Sequence, residues 1–474
     1  MNIDHLFRFR SIHAVLDGFH ELENQEIYFS EINELNDPLE GFKNIYWEGD
    51  AIVWKNFFRH YILNLLQAII SIYSDEKNFN ASILKNFVFT TDEDLDGTKL
   101  KDIYKDICEN FFQNSTISNL IKFLHFSERK TNREEISFYL QTVHLFTISS
   151  ILNELEKYEI KLAKDNKQLK NLAIEFLKSI ENTINIPIHP IPFTNQIFLS
   201  GHHISSELNL IYKFNNPVIK NKYWYFILVN FTNSYLNALE QILYPECYIS
   251  CFVSNPTDAS MWGTYGDSHK GVCLKFKTPE RQNKRSLYLY NVVGIGGTKK
   301  QNETIYEYQP YHFDKIQYSG KFPEIDFFSS IGHLPTLKLD RFWYRDNDGK
   351  FSTIRKEVFD NMENWRKVYW EKYSICYKTK LPEWQHEQEY RLLFHSGMHD
   401  FSQKDSRKLK YRFSDLSGII FGMKTSIEDK TRIIKIIRDK CIKEKRNDFD
   451  FFQAYYSTIT KKIELHKLLL IKFK

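Results

Sequence analysis

Residues 247–276 read CYISCFVSNPTDASMWGTYGDSHKGVCLKF. Cys247 to Val253 is a short run rich in apolar, β-branched and aromatic residues, interrupted by Ser250 alone, as a buried strand favours. Asn255-Pro256-Thr257-Asp258 then turns the chain, because Asn and Asp bond back to their own backbone and Pro fixes φ. Ser260 to Gly266 carries Trp262 and Tyr265 three apart, and Gly271 to Lys277 is a second strand-like run. The segment therefore predicts strand, turn, short aromatic-bearing stretch and strand.

The texture is different upstream. From about Glu48 to Leu243 the apolar residues follow helical spacing, with helices predicted over Ala51–Tyr73, Asn132–Ile160, Leu169–Ile184 and Tyr223–Leu243. The Pro-rich run at 186–193 closes the third, and Tyr244-Pro245 ends the fourth, since a residue before proline is driven out of the helical region. Downstream, Ser286–Val293, Glu389–Phe394, Gly418–Phe421, Phe449–Tyr456 and Lys462–Ile471 read as strands. Helices are expected at Thr353–Tyr373 and Ser426–Lys445, the latter with Ile433, Ile434, Ile437 and Cys441 on one face. The first 45 residues are mixed: a short strand ending in Phe7-Arg8-Phe9-Arg10, a helix over Ile12–Leu22 capped by Ser11, a strand over Glu26–Ser30 and a turn at Asn36-Asp37-Pro38. The order is mixed, helical, mixed. It predicts an α+β core in two parts, residues 1–45 and 245–474, interrupted by a large helical insertion over 46–244.

Bulk properties exclude classes without choosing one. The 474 residues include 39 Phe, 28 Tyr and 8 Trp against 17 Gly, with 42% hydrophobic and 26% charged residues. That balance belongs to a folded chain with a large aromatic core and excludes wholesale disorder. The formal charge of +4 is too small for a dedicated nucleic-acid binder. It conceals a +7 tail from Phe421 onward, with 14 Lys and Arg against 7 Asp and Glu, and a −3 remainder. The tail is read as a solvated basic face. The six cysteines show no paired spacing, which points to reduced thiols and a cytoplasmic protein. The N-terminus has no apolar signal region, and polar residues interrupt Ala51–Tyr73, the strongest membrane candidate, so no membrane span is expected.

Three segments carry candidate chemistry. Arg8 and Arg10 alternate with phenylalanines at the end of a strand, where two cations beside backbone donors suit a phosphate; two surface arginines on an edge strand is the alternative. Trp262 and Tyr265 offer ring faces that backbone at the neighbouring glycines can approach, as a nicotinamide or adenine needs; core packing of a short helix is the alternative. Glu387, Glu389 and Arg391 in LPEWQHEQEYRLLF (381–394) would share one strand face. A carboxylate there can hold a ribose hydroxyl while a cation-like sugar forms, or it can belong to a salt-bridged surface ladder. Gly294-Ile295-Gly296-Gly297 and His202-His203 read as loops. No metal site is predicted.

Taken in order, these segments resemble a bacterial family catalogued as domain of unknown function 2971, whose members often lie beside phage-defence genes. Phe7-Arg8-Phe9-Arg10-Ser11 resembles its opening aromatic–basic–aromatic–Arg/Thr–Ser pattern. Phe29-Ser30 and Leu35-Asn36-Asp37-Pro38-Leu39-Glu40-Gly41 resemble "FS…FNDPFEG", with Leu for both phenylalanines. Cys251 to Phe276 resembles "CFS…MWxxYxxxHKGVCLxF" with Val253 added, and Trp384 with Glu387-Gln388-Glu389-Tyr390-Arg391-Leu392 resembles "W…EkEyRL". A looser similarity is to ADP-ribosyltransferase folds, including toxins. It implies a split-sheet core in which Arg8 takes the place of the early His or Arg, Ser30 ends the strand lining the nicotinamide pocket, and Glu389 is the late acid. Glu387-Gln388-Glu389 is similar to the acid–x–Glu turn of arginine-specific transferases.

The implied function is an effector of an abortive-infection system. It cleaves the nicotinamide–ribose bond of NAD and transfers ADP-ribose to a protein or nucleic-acid acceptor, or to water. Glu389 and Glu387 would be catalytic. Arg8, Arg10, Ser30, Trp262, Tyr265 and Arg391 would bind the cofactor, and the helical insertion would select a partner. The competing expectation is a non-catalytic defence-associated sensor or partner-binding module.

Overall fold

The computed structural model describes residues 5–75, 79–126, 129–160, 167–184, 191–215, 222–281, 284–298, 301–396 and 401–473. It is mixed α+β and divides into two compact units. One comprises Met1–Phe42, Glu246–Phe322 and Ser374–Lys474, the other Lys43–Pro245 and Pro323–Tyr373. The expected division into 1–45, 46–244 and 245–474 therefore needs a correction. The chain leaves the first unit twice, and 323–373 belongs with the helical residues. A strand explains why: Glu324–Asp326 pairs in parallel with Asn44–Trp47, which tethers the second excursion to the first.

The helical unit is built on Ala51–Ser74, Gly97–Gln113, Ser115–Leu124, Arg133–Lys157, Lys167–Ile184 and Ile191–Asn215. Asp50 caps the first by accepting from the amides of Ile52 and Val53, and Asn132 caps the fourth through Glu135. Of the polar residues in Ala51–Ser74, Asn56, His60 and Asn64 are buried with partners: the His60 ring contacts the Tyr235 hydroxyl at 2.9 Å and the Val88 carbonyl at 3.1 Å. Burial pushes the His60 pKa down to about 3, so the imidazole is neutral. No helix among the described residues is long and apolar enough to cross a membrane. His202 and His203 lie on the helix Ile191–Asn215, not in a loop. The Pro-rich run at 186–193 lies partly outside the described residues.

The other unit holds a twelve-stranded sheet. Its strands are β1 His5–Arg10, β2 Glu26–Tyr28, β3 Cys247–Val253, β4 Val272–Lys277, β5 Lys284–Thr298, β6 Gln301–Lys315, β7 Glu389–His395, β8 Lys408–Tyr411, β9 Leu416–Phe421, β10 Asp450–Ser457 and β11 Lys462–Lys467. They are ordered β11-β10-β9-β4-β1-β3-β7-β6-β5-β8-β2, with the short Glu280–Arg281 pairing β5 off this path. Most pairs are antiparallel. β9 and β10 are parallel, joined by the helix Ile427–Lys443, which Ser426 caps. Ile433, Ile437 and Cys441 of that helix bury against Leu274, Phe276, Ile419 and Phe451 on one face of the sheet. A smaller apolar cluster on Phe9, Val253, Met261 and Trp262 forms separately.

Two local expectations fail for physical reasons. The helix expected over Ile12–Leu22 is split into a single π-helical turn at His13–Asp17 and a short α-helix at Glu21–Asn24, because the chain breaks at Gly18 and His20 turns left-handed at φ 51°. The glycines at 294–297 lie within strand β5, where pairing with β6 satisfies their backbone.

The feature that shapes the site is a split in the sheet. β1 pairs with β4 along all six of its residues, yet it meets β3 at one pair alone, Phe7 opposite Val253. Beyond that pair the strands part, and Ser30 takes over the free edge of β3: its amide donates to the Ile249 carbonyl at 2.8 Å and its carbonyl accepts from the Ile249 amide at 2.9 Å.

The turn into β4 is packed without slack. Asp267, Ser268 and His269 all have positive φ, and at Gly271 a Cβ would lie 2.3 Å from the Arg10 carbonyl oxygen and 2.9 Å from that of Gly266. Both neighbours are backbone and cannot rotate away. Gly271→Ala should therefore cost about 1–3 kcal/mol and lower the melting temperature by several degrees. An unchanged melting temperature would show that β1 and β4 have room to separate.

Candidate active site

The V-shaped gap between β1 and β3 is a cleft of about 220 Å³. Arg8, Arg10, Ser30, Tyr265, Glu387 and Glu389 all line it, together with Glu34, Asn36, Glu40, Cys251 and Lys380. Six of the eight residues singled out from the sequence thus meet in one place.

The other two do not reach it. Trp262 is wholly buried, its indole N–H donates to the Pro256 carbonyl at 2.8 Å, and its ring meets Phe9 edge-on at 4.8 Å. It is a core residue, so the expected nicotinamide-framing role is withdrawn. Arg391 is also wholly buried and is saturated by protein groups, so it supports the site and cannot bind the cofactor.

Arg391 is the centre of a buried charge network. Its Nε and Nη2 donate to the two Glu389 oxygens at 2.7 and 3.0 Å. Nη2 also donates to Glu40 at 2.6 Å, and Nη1 donates to the Tyr377 carbonyl at 2.9 Å. Lys380 Nζ lies 2.6 Å from Glu387, 2.8 Å from Glu389 and 3.1 Å from Glu40. The Tyr265 hydroxyl donates to Glu387 at 2.7 Å. The Tyr318 hydroxyl accepts the Glu389 amide N–H at 2.7 Å.

Local backbone explains the convergence. Glu387 and Glu389 do not alternate along one strand, as expected. Pro382–Glu387 is a 3-10 helix, Gln388 turns left-handed at φ 48°, and the strand starts only at Glu389. That costly conformation for a side chain other than glycine brings both carboxylates to the same lysine. Lys380 is fixed because its amide donates to the Gln317 carbonyl at 3.0 Å and its carbonyl accepts from Gly320 at 3.1 Å. Glu40 follows the Asn36-Asp37-Pro38 turn, in which Asp37 accepts the Leu39 amide at 2.9 Å. Gly41, at φ +64°, then carries the chain away.

Three carboxylates face two cations, so the network holds one negative charge in excess. Burial alone would raise the Glu389 carboxyl, but Arg391 and then Lys380 outweigh it and hold the group well below the usual carboxylate range. Burial likewise opposes charge on Lys380, yet Glu389 and Glu40 keep its pKa above the usual lysine value. Burial, then Glu389, raises the Cys251 thiol, which is therefore protonated and not a nucleophile.

Arg8 is different. It is 6% exposed, and its Nη2 donates to the Tyr28 carbonyl at 2.9 Å, with the guanidinium 5.4 Å from the centre of the Phe252 ring. Nε and Nη1 are buried without a hydrogen-bond partner among the described residues. Burial, and then Arg10, lower its pKa from 12.5 to about 10, so it stays charged at neutral pH. Arg10, by contrast, is paired with Glu21, which its Nε reaches at 2.8 Å. The cleft is therefore lined by a cation with two nitrogens unpartnered among the described residues and by a network with surplus negative charge.

A family described as "Protein of unknown function (DUF2971)" matches residues 261–392. The match begins within the Met261-Trp262 segment and ends on β7, three residues past Glu389, and the chain is similar to that family over this stretch. No curated protein and no solved structure matches the chain.

Glu40 and Lys380 were missed from the sequence. Glu40 lies inside the quoted "NDPLEG" stretch, whose turn residues drew attention away from the acid. Lys380 carries no local signal.

Removing one cation strands buried carboxylates. Lys380→Met should cost about 3–5 kcal/mol, read as a lower denaturant midpoint, and an unchanged midpoint would mean that water reaches the network. The acid response has a definite sign. Glu389 is depressed in the folded state, so its contribution is fully present above the ordinary carboxylate value of 4.5 and is lost as pH falls below it. Stability measured from neutral pH downward should decline below that value, with a shallower slope in Glu389→Gln. Equal slopes would contradict the assignment.

Proposed function

We propose that the cleft binds NAD and breaks its nicotinamide–ribose bond, passing ADP-ribose to a macromolecule or to water. The observation that carries this reading is the pairing of charges: a buried guanidinium with two unpartnered nitrogens and an ionised carboxylate line the same cleft. NAD offers the complement, a pyrophosphate at its middle and a cationic ring at one end.

In this reading Arg8 holds a phosphate oxygen, with charge-assisted hydrogen bonds from its free Nε–H and Nη1–H. Glu389, kept ionised by Arg391 and Lys380, stabilises the positive charge that grows on the ribose as the C1′–N bond breaks and its electron pair leaves with nicotinamide. The acceptor oxygen or nitrogen then bonds to C1′ and gives its proton to solvent. Lys380 and Arg391 fix the carboxylate and do not touch the substrate. At about 220 Å³ the cleft falls below the ~300–1,000 Å³ of pockets that enclose whole ligands. It therefore suits the nicotinamide–ribose end, with the adenosine part reaching past Arg8 into solvent.

The competing reading, a binding module without catalysis, draws support from the saturation of Glu389 by Arg391 and Lys380. The two differ in one assay. Purified protein given NAD should release nicotinamide. Glu389→Gln removes the surplus charge of the network and should slow release about 10²–10³-fold, assayed at a temperature where the variant, itself less stable, is still folded. Arg8→Gln should raise the NAD concentration needed for half-maximal release. No release by the wild type, or an unchanged rate in Glu389→Gln, favours the module.

A further inference from the structure

β5 and β6 form a hairpin of 15 residues on each side, longer than any other strand pair in the sheet. From Glu303 to Pro310 every residue of β6 is exposed, although Leu289 and Asn291 opposite them on β5 are buried. One face is aromatic. Tyr290 sits opposite Tyr308, and Val292 opposite Tyr306. The Tyr290 ring centre is 5.7 Å from that of Tyr306 and 5.2 Å from that of Tyr308. These three tyrosines are 40, 45 and 37% exposed. None of their hydroxyls has a hydrogen-bond partner among the described residues.

β8 adds cations to the same face. Lys410 is the register partner of Tyr290, which makes a row of Lys410, Tyr290 and Tyr308 across three strands. The Arg412 guanidinium lies over Tyr288 at 4.3 Å and over Tyr308 at 5.0 Å. Lys410 and Arg412 are both exposed, and neither lies within ion-pair distance of a carboxylate among the described residues. Asp415 and Glu444 add negative potential around Tyr308, but less strongly than Arg412 opposes it.

We propose that this face binds single-stranded nucleic acid, with bases stacked on Tyr290, Tyr306 and Tyr308 and phosphates met by Lys410 and Arg412. Cross-strand tyrosines alone would do no more than stabilise a hairpin. The interleaved cations decide the occupant. The centre of a protein–protein interface tolerates Tyr and Arg but is depleted of Lys, so the exposed Lys410 in the tyrosine row is what favours a phosphate-bearing partner. A nucleic acid supplies one phosphate per base, so a surface alternating rings and unpaired cations complements it. The proposal uses no residue of the cleft and stands or falls independently of the NAD reading.

The test uses the full chain and a fluorescent oligo-thymidine of about 20 nucleotides, longer than the ~4–16 such surfaces cover. Saturable binding is expected, weakening as salt rises from about 50 to about 200 mM. Tyr290→Ala and Tyr308→Ala should each weaken it roughly 5- to 100-fold. Tyr308→Phe, which keeps the ring, should bind like wild type, and Arg412→Gln should flatten the salt dependence. The proposal is overturned if no binding occurs, if a duplex competes as well as the single strand, or if a Tyr290→Ala/Tyr308→Ala variant with wild-type melting temperature binds unchanged.

Discussion

One guanidinium organises the candidate site. Arg391 has no exposed surface and spends its donors on Glu389, Glu40 and the Tyr377 carbonyl. An arginine cannot discharge itself at accessible pH, so burying it obliges the surroundings to supply carboxylates. Glu389 and Glu40 come from opposite ends of the chain to do so. With Lys380 they tie the turn after β2 to β7 and the stretch that precedes it. A buried ion network adds little net stability over an apolar core, and its geometry is demanding. Here that geometry keeps one carboxylate ionised at the wall of a cleft.

The cleft itself arises from strand pairing. β1 lies in the middle of the sheet, so its alternate side chains are buried on both faces, and Arg8 goes in with Leu6. If β1 and β3 paired along their length, Arg8 would be sealed in. Because they part after Phe7 and Val253, Arg8 lines the gap, with two of its guanidinium nitrogens buried and lacking a partner among the described residues while the third bonds the Tyr28 carbonyl.

Much of this was legible in the sequence, and the failures are instructive. Strands at Cys247–Val253 and Gly271–Lys277 follow from β-branched and aromatic runs, and Arg8, Glu387 and Glu389 stand out by residue type. Spacing could not show that Glu387 and Glu389 meet through a left-handed Gln388, because that conformation depends on tertiary partners. Lys380 and Glu40 are brought in by long-range contacts that leave no local period. For Trp262 the sequence left two readings open, because a tryptophan beside glycines suits a core as well as a ring-binding wall, and burial selects the core. Residues 323–373 went to the wrong unit because a three-residue strand, Glu324–Asp326, carries too little pattern to reveal its partner.

The central claim is that Arg8 and Glu389 face the two ends of one ligand. A crystal structure of the chain soaked with NAD tests this most directly. The account predicts a phosphate oxygen within hydrogen-bond distance of Arg8 Nε or Nη1 and the ribose next to nicotinamide against Glu389. Density for NAD elsewhere on the chain, or an empty cleft at saturating NAD, would contradict it.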